Sequence, residues 1–135
     1  MTAFEYISTK VYTVLKPSNI SGIGVFSIKD IPADINPFEV WNGESGIYNI
    51  TKEEFDTLSI GLQSHIMDIF LYSPDYPYDT DIYISLQKDC HWIYTSPYYF
   101  INSSSDRYNI SKDNKRTTRR IRTGEELLSN YRRYE

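Results

Sequence analysis

Cysteine and histidine are scarce in this chain of 135 residues. A single cysteine, Cys90, excludes an internal disulfide bond and a cysteine-rich zinc cluster within one chain. The two histidines, His65 and His91, lie far apart in the sequence and lack the spacing of metal ligands. We therefore expect no metal site, structural roles for both histidines, and a reducing, cytoplasmic setting.

Long apolar runs are also absent, so the sequence predicts no membrane-spanning helix. The opening residues, MTAFEYISTK, lack the charged end and apolar stretch of a signal peptide. No phosphate-binding GxxxxGK[ST] motif occurs, and no G-x-S-x-G nucleophile elbow occurs. These absences argue against a nucleotide hydrolase and a serine hydrolase of the common types.

Charge is present but unevenly spread along the chain. Residues 1–106 carry 14 acidic and 5 basic side chains, whereas residues 107–135 carry 4 acidic and 9 basic ones, which together give the net charge of −4. One interpretation is a nucleic-acid-binding β domain that uses the arginines from Arg107 to Arg122. The other is a solvated loop that balances an acidic body. We favour the second, because an acidic protein is a poor electrostatic match to phosphate, and expect a cationic protein partner instead.

The pattern of apolar residues predicts one mostly β domain over residues 1–135, with one or two helices. The best helix candidate begins at Thr51, which forms a capping box with Glu54. Apolar residues then recur at helical spacing, although Gly61 weakens or ends the pattern: Phe55, Leu58, Leu62, Ile66 and Ile69. A proline-rich loop is predicted at 72–81. Strands are predicted at 11–18, 25–28, within 37–50, and at 82–86, 90–94 and 117–121, and one more is predicted within 124–135.

Three short motifs occur in a fixed order: SGIGVFSIKDI from Ser21, YYFINSSSD from Tyr98, and TTRRIRTGEELLSNY from Thr117. Taken alone, SGIGVF fits a hairpin turn in which glycine supplies a positive φ angle. In this order and at these intervals, however, the motifs resemble the SET-domain family of protein lysine methyltransferases. The resemblance covers roughly residues 11–134. The small size and the scarcity of cysteine are similar to the stand-alone SET proteins of viruses and bacteria.

The resemblance implies a SET fold with several short sheets, one or two short helices and a C-terminal pseudoknot, in which the segment through Asn102 threads beneath the C-terminal segment. It implies S-adenosylmethionine as the cofactor and Tyr131 as the catalytic residue. Tyr98, Tyr99 and Phe100 would line the channel for the substrate lysine. The residues expected to bind the cofactor are Gly22, Ile23, Gly24, Asn102, Ser103 and Tyr134.

The implied partner is a protein with an accessible lysine, in the cytoplasm or inside a host cell if the protein is viral. The tyrosine-rich stretch from Tyr72 to Tyr83 also suggests a homodimer. Two features depart from the family pattern: Ser103 stands where the family has histidine, and Arg132 and Arg133 follow Tyr131 where a small residue is common. An alternative from another class stays open, namely a non-catalytic SET-like module that binds a peptide or partner.

Overall fold

The computed structural model describes residues 1–69 and 81–130. Short strands and a few short helices make up these residues, which agrees with the predicted mostly β class. In chain order the elements are α1 (Ala3–Lys10), β1 (Thr13–Pro17), β2 (Ile23–Ser27), β3 (Gly46–Ile50), α2 (Lys52–Asp56), α3 (Ile60–Ile69), β4 (Ile82–Leu86), a 3-10 helix (Pro97–Phe100), β5 (Asn102–Ser103) and β6 (Glu126–Ser129). Tyr131, Tyr134, nearly all of the predicted loop 72–81 and most of the proposed dimer stretch lie outside the described residues.

The described residues divide into two compact units, one formed by residues 1–11, 40–69 and 81–95, the other by residues 12–39 and 96–130. Both units therefore combine segments that are distant in sequence. A single SET domain over residues 1–135 stays a prediction.

The second unit contains a four-stranded sheet in the order β1-β2-β6-β5. Strands β1 and β2 form an antiparallel hairpin, and β6 continues the sheet antiparallel to β2, with Val25 opposite Leu127. Strand β5 then pairs with β6 in parallel, with Asn102 opposite Leu128. The two segments that a SET pseudoknot would cross thus lie side by side, while the threading itself stays a prediction.

The core of this unit lies against the sheet and is built mainly from branched aliphatic side chains: Val25, Ile31, Phe38, Ile101, Ile110, Ile121 and Leu127. The predicted strand 117–121 is wrong, since only its two ends form single bridges, Thr117 to Ile110 and Ile121 to Ile31. Between these ends, Arg119 and Arg120 are exposed and bind carboxylates instead of a neighbouring strand.

The first unit opens with α1, a helix that the sequence analysis missed. Thr2 and Glu5 form a capping box at its start, and Ala3, Tyr6 and Ile7 form its buried face. The ring of Tyr6 packs edge-on against Trp41, with ring centroids 5.5 Å apart. The helix therefore contributes a buried apolar face to this unit.

The predicted helix from Thr51 is present, but as two helices. Thr51 and Glu54 form the predicted capping box, which is confirmed. α2 ends where the Thr57 hydroxyl donates to the Glu54 carbonyl, and the Ser59 hydroxyl accepts from the Leu62 N–H at the start of α3. The break therefore falls at hydroxyl-bearing residues before Gly61, because these side chains compete for the backbone hydrogen bonds of a helix. Within the described ranges, no helix combines the length and apolar character needed to cross a membrane.

The predicted strand 90–94 is also wrong. Cys90 alone forms a bridge, to Trp41, and the chain then turns, with the Tyr94 N–H donating to the His91 carbonyl. Tyr94 has a φ angle of 63°, which no strand accommodates. The predicted strand 82–86 is present as β4, which pairs with β3 in an antiparallel two-stranded sheet.

Candidate functional site

The turn after β1, strand β5 and strand β6 meet at the side chain of Glu126. The Ser18 hydroxyl donates to this carboxylate at 2.9 Å. The Asn102 Nδ2 group donates to Glu126 Oε2 at 3.0 Å and to the Ser21 carbonyl at 3.0 Å. We call these residues, together with Gly24, the Glu126 cluster. The cluster joins parts of all three sequence motifs. In the sequence, Asn102 lies 81 residues from Ser21 and 24 residues from Glu126.

Gly22 and Gly24 shape the turn and the strand beside this cluster. Gly22 has a φ angle of +46°, and a Cβ atom there would meet nothing within 4 Å. A Cβ atom on Gly24 would lie 2.4 Å from Glu126 Oε2 and 2.9 Å from the Ser18 Cβ. The Ser18 N–H closes the turn by donating to the Gly22 carbonyl at 2.8 Å. Gly22 thus leaves an open surface, and Gly24 leaves room for the carboxylate.

Asn102 presents one particular atom to its surroundings. The residue is 9% exposed, and both donor contacts of its Nδ2 group are made inside the cluster. Its Oδ1 atom receives no hydrogen bond from residues 1–69 or 81–130. The amide oxygen is therefore the part of Asn102 that can accept a hydrogen bond from a ligand.

Glu126 forms no ion pair with a basic side chain in the described part of the chain. The carboxylate is half-buried and accepts hydrogen bonds only from the neutral side chains of Ser18 and Asn102.

Asn109 supports strand β6 from the loop after β5. It is 1% exposed, and its Nδ2 group donates to the Glu126 carbonyl at 3.0 Å. Its Oδ1 atom accepts from the Leu128 N–H at 2.8 Å. The sequence analysis did not single out Asn109, Ser18 or Glu126 as members of a site. The GEEL motif contains Glu126 and was the signal that could have identified it.

The Ser129 side chain in β6 is fully buried, and its Oγ atom has no hydrogen-bond partner in the part of the chain described. In the parallel pairing with β5, Ser129 lies opposite the half-buried Ser103. Small side chains therefore occupy both strands at the point where β5 and β6 meet.

The three aromatic residues predicted to line a lysine channel form a short 3-10 helix that packs beside β1 and β2. The Tyr98 ring packs edge-on against Phe38, with centroids 5.7 Å apart, as part of the core wall. Tyr99 is 84% exposed and Phe100 is 37% exposed. Tyr98 and Tyr99 thus lie in different environments, and their roles in substrate binding stay predictions.

Among the predicted cofactor-binding residues, the sheet brings Gly22, Ile23 and Gly24 close to Asn102, because β6 bridges β2 and β5. Ile23 is 45% exposed beside this cluster. Tyr131 and Tyr134 are not among the described residues, so their positions relative to the cluster stay predictions.

Comparison with known proteins adds little to this geometry. Neither a family model nor a curated protein sequence matches the chain. A similar solved structure is the crystal structure of a Plasmodium falciparum protein with a proposed histone methyltransferase activity. The match covers 90% of this chain and 93% of the Plasmodium chain, with 17% sequence identity and a TM-score of 0.33. A TM-score of 0.33 is too low to assign a fold.

The basic segment after Asn109 pairs with acidic residues of its own unit. Arg116 binds Asp34 at 2.8 Å, and Arg119 binds Glu125 at 2.9 Å. Arg120 binds Asp30, which also accepts from the Thr123 N–H and hydroxyl at 2.9 Å each. Two of these three pairs, to Asp34 and to Asp30, join the basic segment to the acidic part of the sequence.

Proposed function

We propose that the chain is a SET-type protein lysine methyltransferase, which transfers a methyl group from S-adenosylmethionine to a lysine side chain of a protein substrate. The observation that carries the proposal is the meeting of three motifs at Glu126. Asn102 from the second motif bonds to Ser21 at the start of the first and to Glu126 in the third. If the hairpin turn, the serine-rich loop and the terminal strand had unrelated roles, nothing would require their polar groups to meet in one cluster.

The residues of the cluster fit the amino-acid end of this cofactor. Its ammonium group is a positively charged donor, which suits the accepting Oδ1 atom of Asn102. The space beside Gly22, where a Cβ atom would contact nothing within 4 Å, allows a ligand to approach the backbone closely.

When bound, S-adenosylmethionine supplies a methyl group that is carried on a positively charged sulfur. The sulfur keeps the electrons of the broken bond to the methyl carbon and becomes a neutral thioether. The substrate ammonium must first lose a proton so that its nitrogen lone pair can form the new bond to carbon. Aromatic side chains such as Phe100 would favour that loss, because an apolar channel disfavours the charged amine. We assign to Tyr131 the orientation of the neutral amine, and alignment of the two reactants would supply much of the rate.

Ligand binding is the first test. Isothermal titration calorimetry of the full chain with S-adenosylmethionine and with its demethylated product, S-adenosylhomocysteine, should show one site for each. Asn102→Ala should weaken both by about tenfold or more, since it removes an accepting atom that faces a charged donor. Asn49→Ala, which truncates an exposed asparagine of β3, is the matched control and should bind normally. Absence of heat at millimolar ligand for the intact chain would contradict the proposal.

Turnover distinguishes the enzyme from the non-catalytic alternative. Incubation with methyl-labelled S-adenosylmethionine and a set of lysine-containing proteins should transfer label to lysine. Binding of the cofactor without any transfer would favour the peptide-binding module instead.

The role of Tyr131 is tested by Tyr131→Phe, which removes one oxygen and keeps the ring. Because the hydroxyl would act mainly in the transition state, kcat and kcat/KM should fall together, by about 10²–10³. Cofactor affinity and melting temperature should hold. A variant with a near-normal rate on a confirmed substrate would remove Tyr131 from the site.

A further inference from the structure

We propose that Glu126 is a positioning residue that fixes the amide of Asn102, so that Oδ1 and not the Nδ2 group meets the ligand. The inference rests on the proposed function, because it concerns the same cofactor end. It goes beyond that function because it gives Glu126, which the sequence motifs did not single out as a binding residue, a role: Glu126 determines which atom of the Asn102 amide faces the ligand.

The argument begins with the two orientations of an asparagine amide, which differ by exchange of oxygen and nitrogen. In the observed orientation, Nδ2 donates to Glu126 Oε2 and to the Ser21 carbonyl, each at 3.0 Å. In the exchanged orientation, Oδ1 would face two acceptors at those same distances. Neither acceptor carries a hydrogen, so both contacts would become repulsive. The pair of acceptors therefore holds the amide in one orientation.

Of the two acceptors, the Glu126 carboxylate is the stronger because it is charged. Its own place is fixed from several sides. The Ser18 hydroxyl donates to it at 2.9 Å, and its backbone is held by the pairing with Phe26 in β2 and by Asn109. Gly24 keeps the space that the carboxylate occupies free. A carboxylate held in this way can act on Asn102 without touching the ligand.

The central experiment is Glu126→Gln, which keeps the size of the side chain and adds a donor. The new amide can donate to Oδ1, which removes one of the two contacts that oppose the exchanged orientation of Asn102 and leaves only the Ser21 carbonyl against it. We expect the affinity for S-adenosylhomocysteine, measured by calorimetry, to fall by about tenfold or more. Glu125→Gln is the matched control: this neighbouring carboxylate pairs with Arg119, outside the Glu126 cluster, and its variant should bind normally.

A double-mutant cycle separates positioning from a general effect on stability or charge. If Glu126 acts through Asn102, the double variant Asn102→Ala/Glu126→Gln should bind no more weakly than Asn102→Ala alone. If the two residues contributed independently, the two losses of affinity would multiply in the double variant, and that result would overturn the inference. Melting temperatures of all four proteins show whether any loss of affinity follows unfolding.

A second variant keeps the inference testable if Glu126→Gln does not fold. Ser18→Ala leaves the charge of Glu126 in place and removes one hydroxyl that holds the carboxylate. We expect a several-fold loss of affinity that disappears in the Asn102→Ala background. An equal loss in both backgrounds would overturn the positioning role. Failure of the unmodified chain to bind either ligand would contradict the proposed function itself, whereas normal binding by both variants would overturn only the role of Glu126.

Discussion

Gly22 and Gly24 stand two positions apart, and each position excludes other residues for a different reason. At Gly22 the restriction is the backbone, whose φ angle of +46° is rare for residues with a Cβ atom. At Gly24 the restriction is space, because the Glu126 carboxylate and Ser18 lie where a side chain would begin. The second glycine of the G-x-G pattern is therefore required by packing within the protein, against Glu126 and Ser18.

Gly24→Ala should therefore be costly. The new Cβ atom would push the carboxylate away from Ser18 and Asn102, while the Ser18 Cβ atom, one bond from the backbone, cannot move aside alone. We expect the free energy of unfolding to fall by about 1–3 kcal/mol, as measured by urea denaturation. Gly46→Ala in β3 is the control, because its nearest neighbour would be the Tyr48 ring at 3.9 Å. Equal stability of the two variants would contradict this explanation of Gly24.

At the scale of elements, strand β6 is held partly by a side chain that imitates a strand. The buried Asn109 side chain donates to the Glu126 carbonyl in a partly buried hydrogen bond and accepts from the Leu128 N–H in a buried one. Asn109→Ala would leave both backbone groups without a partner. We expect a loss of about 2–4 kcal/mol in the free energy of unfolding, since each buried unpaired group costs about 1–3 kcal/mol.

The matched control is again Asn49→Ala, which removes a single exposed contact to Asp81 and should change stability by less than about 0.5 kcal/mol. Both variants are compared by urea denaturation at neutral pH. Similar stabilities for the two would show that Asn109 does not support β6.

Local signals explain which elements could be predicted from the sequence. The capping box of Thr51 and Glu54 involves residues three apart, so the sequence contains it completely. Thr2 and Glu5 have the same spacing, and α1 could have been found in the same way. The predicted strand 90–94 failed because its composition favours a strand, while the backbone turns at Tyr94 with a positive φ angle.

At the scale of the whole molecule, two arginines of the basic segment pair with carboxylates from the acidic part of the sequence within one unit, Arg116 with Asp34 and Arg120 with Asp30. Asp30 is the best example: the Thr123 N–H, the Arg120 guanidinium and the Thr123 hydroxyl lower the pKa of its carboxyl from 3.8 to about 2. A lowered pKa means that the folded state is favoured while Asp30 is ionised. This contribution is complete above pH 3.8 and is lost as the pH falls towards 2.

Asp30→Asn tests this linkage. At neutral pH the variant should be less stable than the unmodified protein, and the difference should shrink as the pH falls from about 4 through about 2, because Asp30 of the folded protein becomes protonated in this range. Urea denaturation across this range measures the difference directly. A difference that is constant with pH would show that the charge of Asp30 contributes nothing to folding.

The candidate site could be predicted only as separate motifs. The sequence identified Gly22, Asn102 and the GEEL segment as relevant, but their meeting depends on the placement of β6 between β2 and β5. That placement is a long-range property with no local signal. The roles of Ser18 and Glu126 toward Asn102 therefore became visible only in the structure.

The placement of β6 has a consequence for how the protein is made. During synthesis on the ribosome, the hairpin of β1 and β2 emerges about a hundred residues before the strand that must pair with β2. Until residues 126–129 emerge, one edge of β2 has unsatisfied N–H and C=O groups, and such an edge can pair with another nascent chain. The sheet can then close only through contacts of large sequence separation, which slow folding. The unfinished chain is therefore the form of this protein most exposed to aggregation, and a chaperone that shields the edge of β2 would act during that interval.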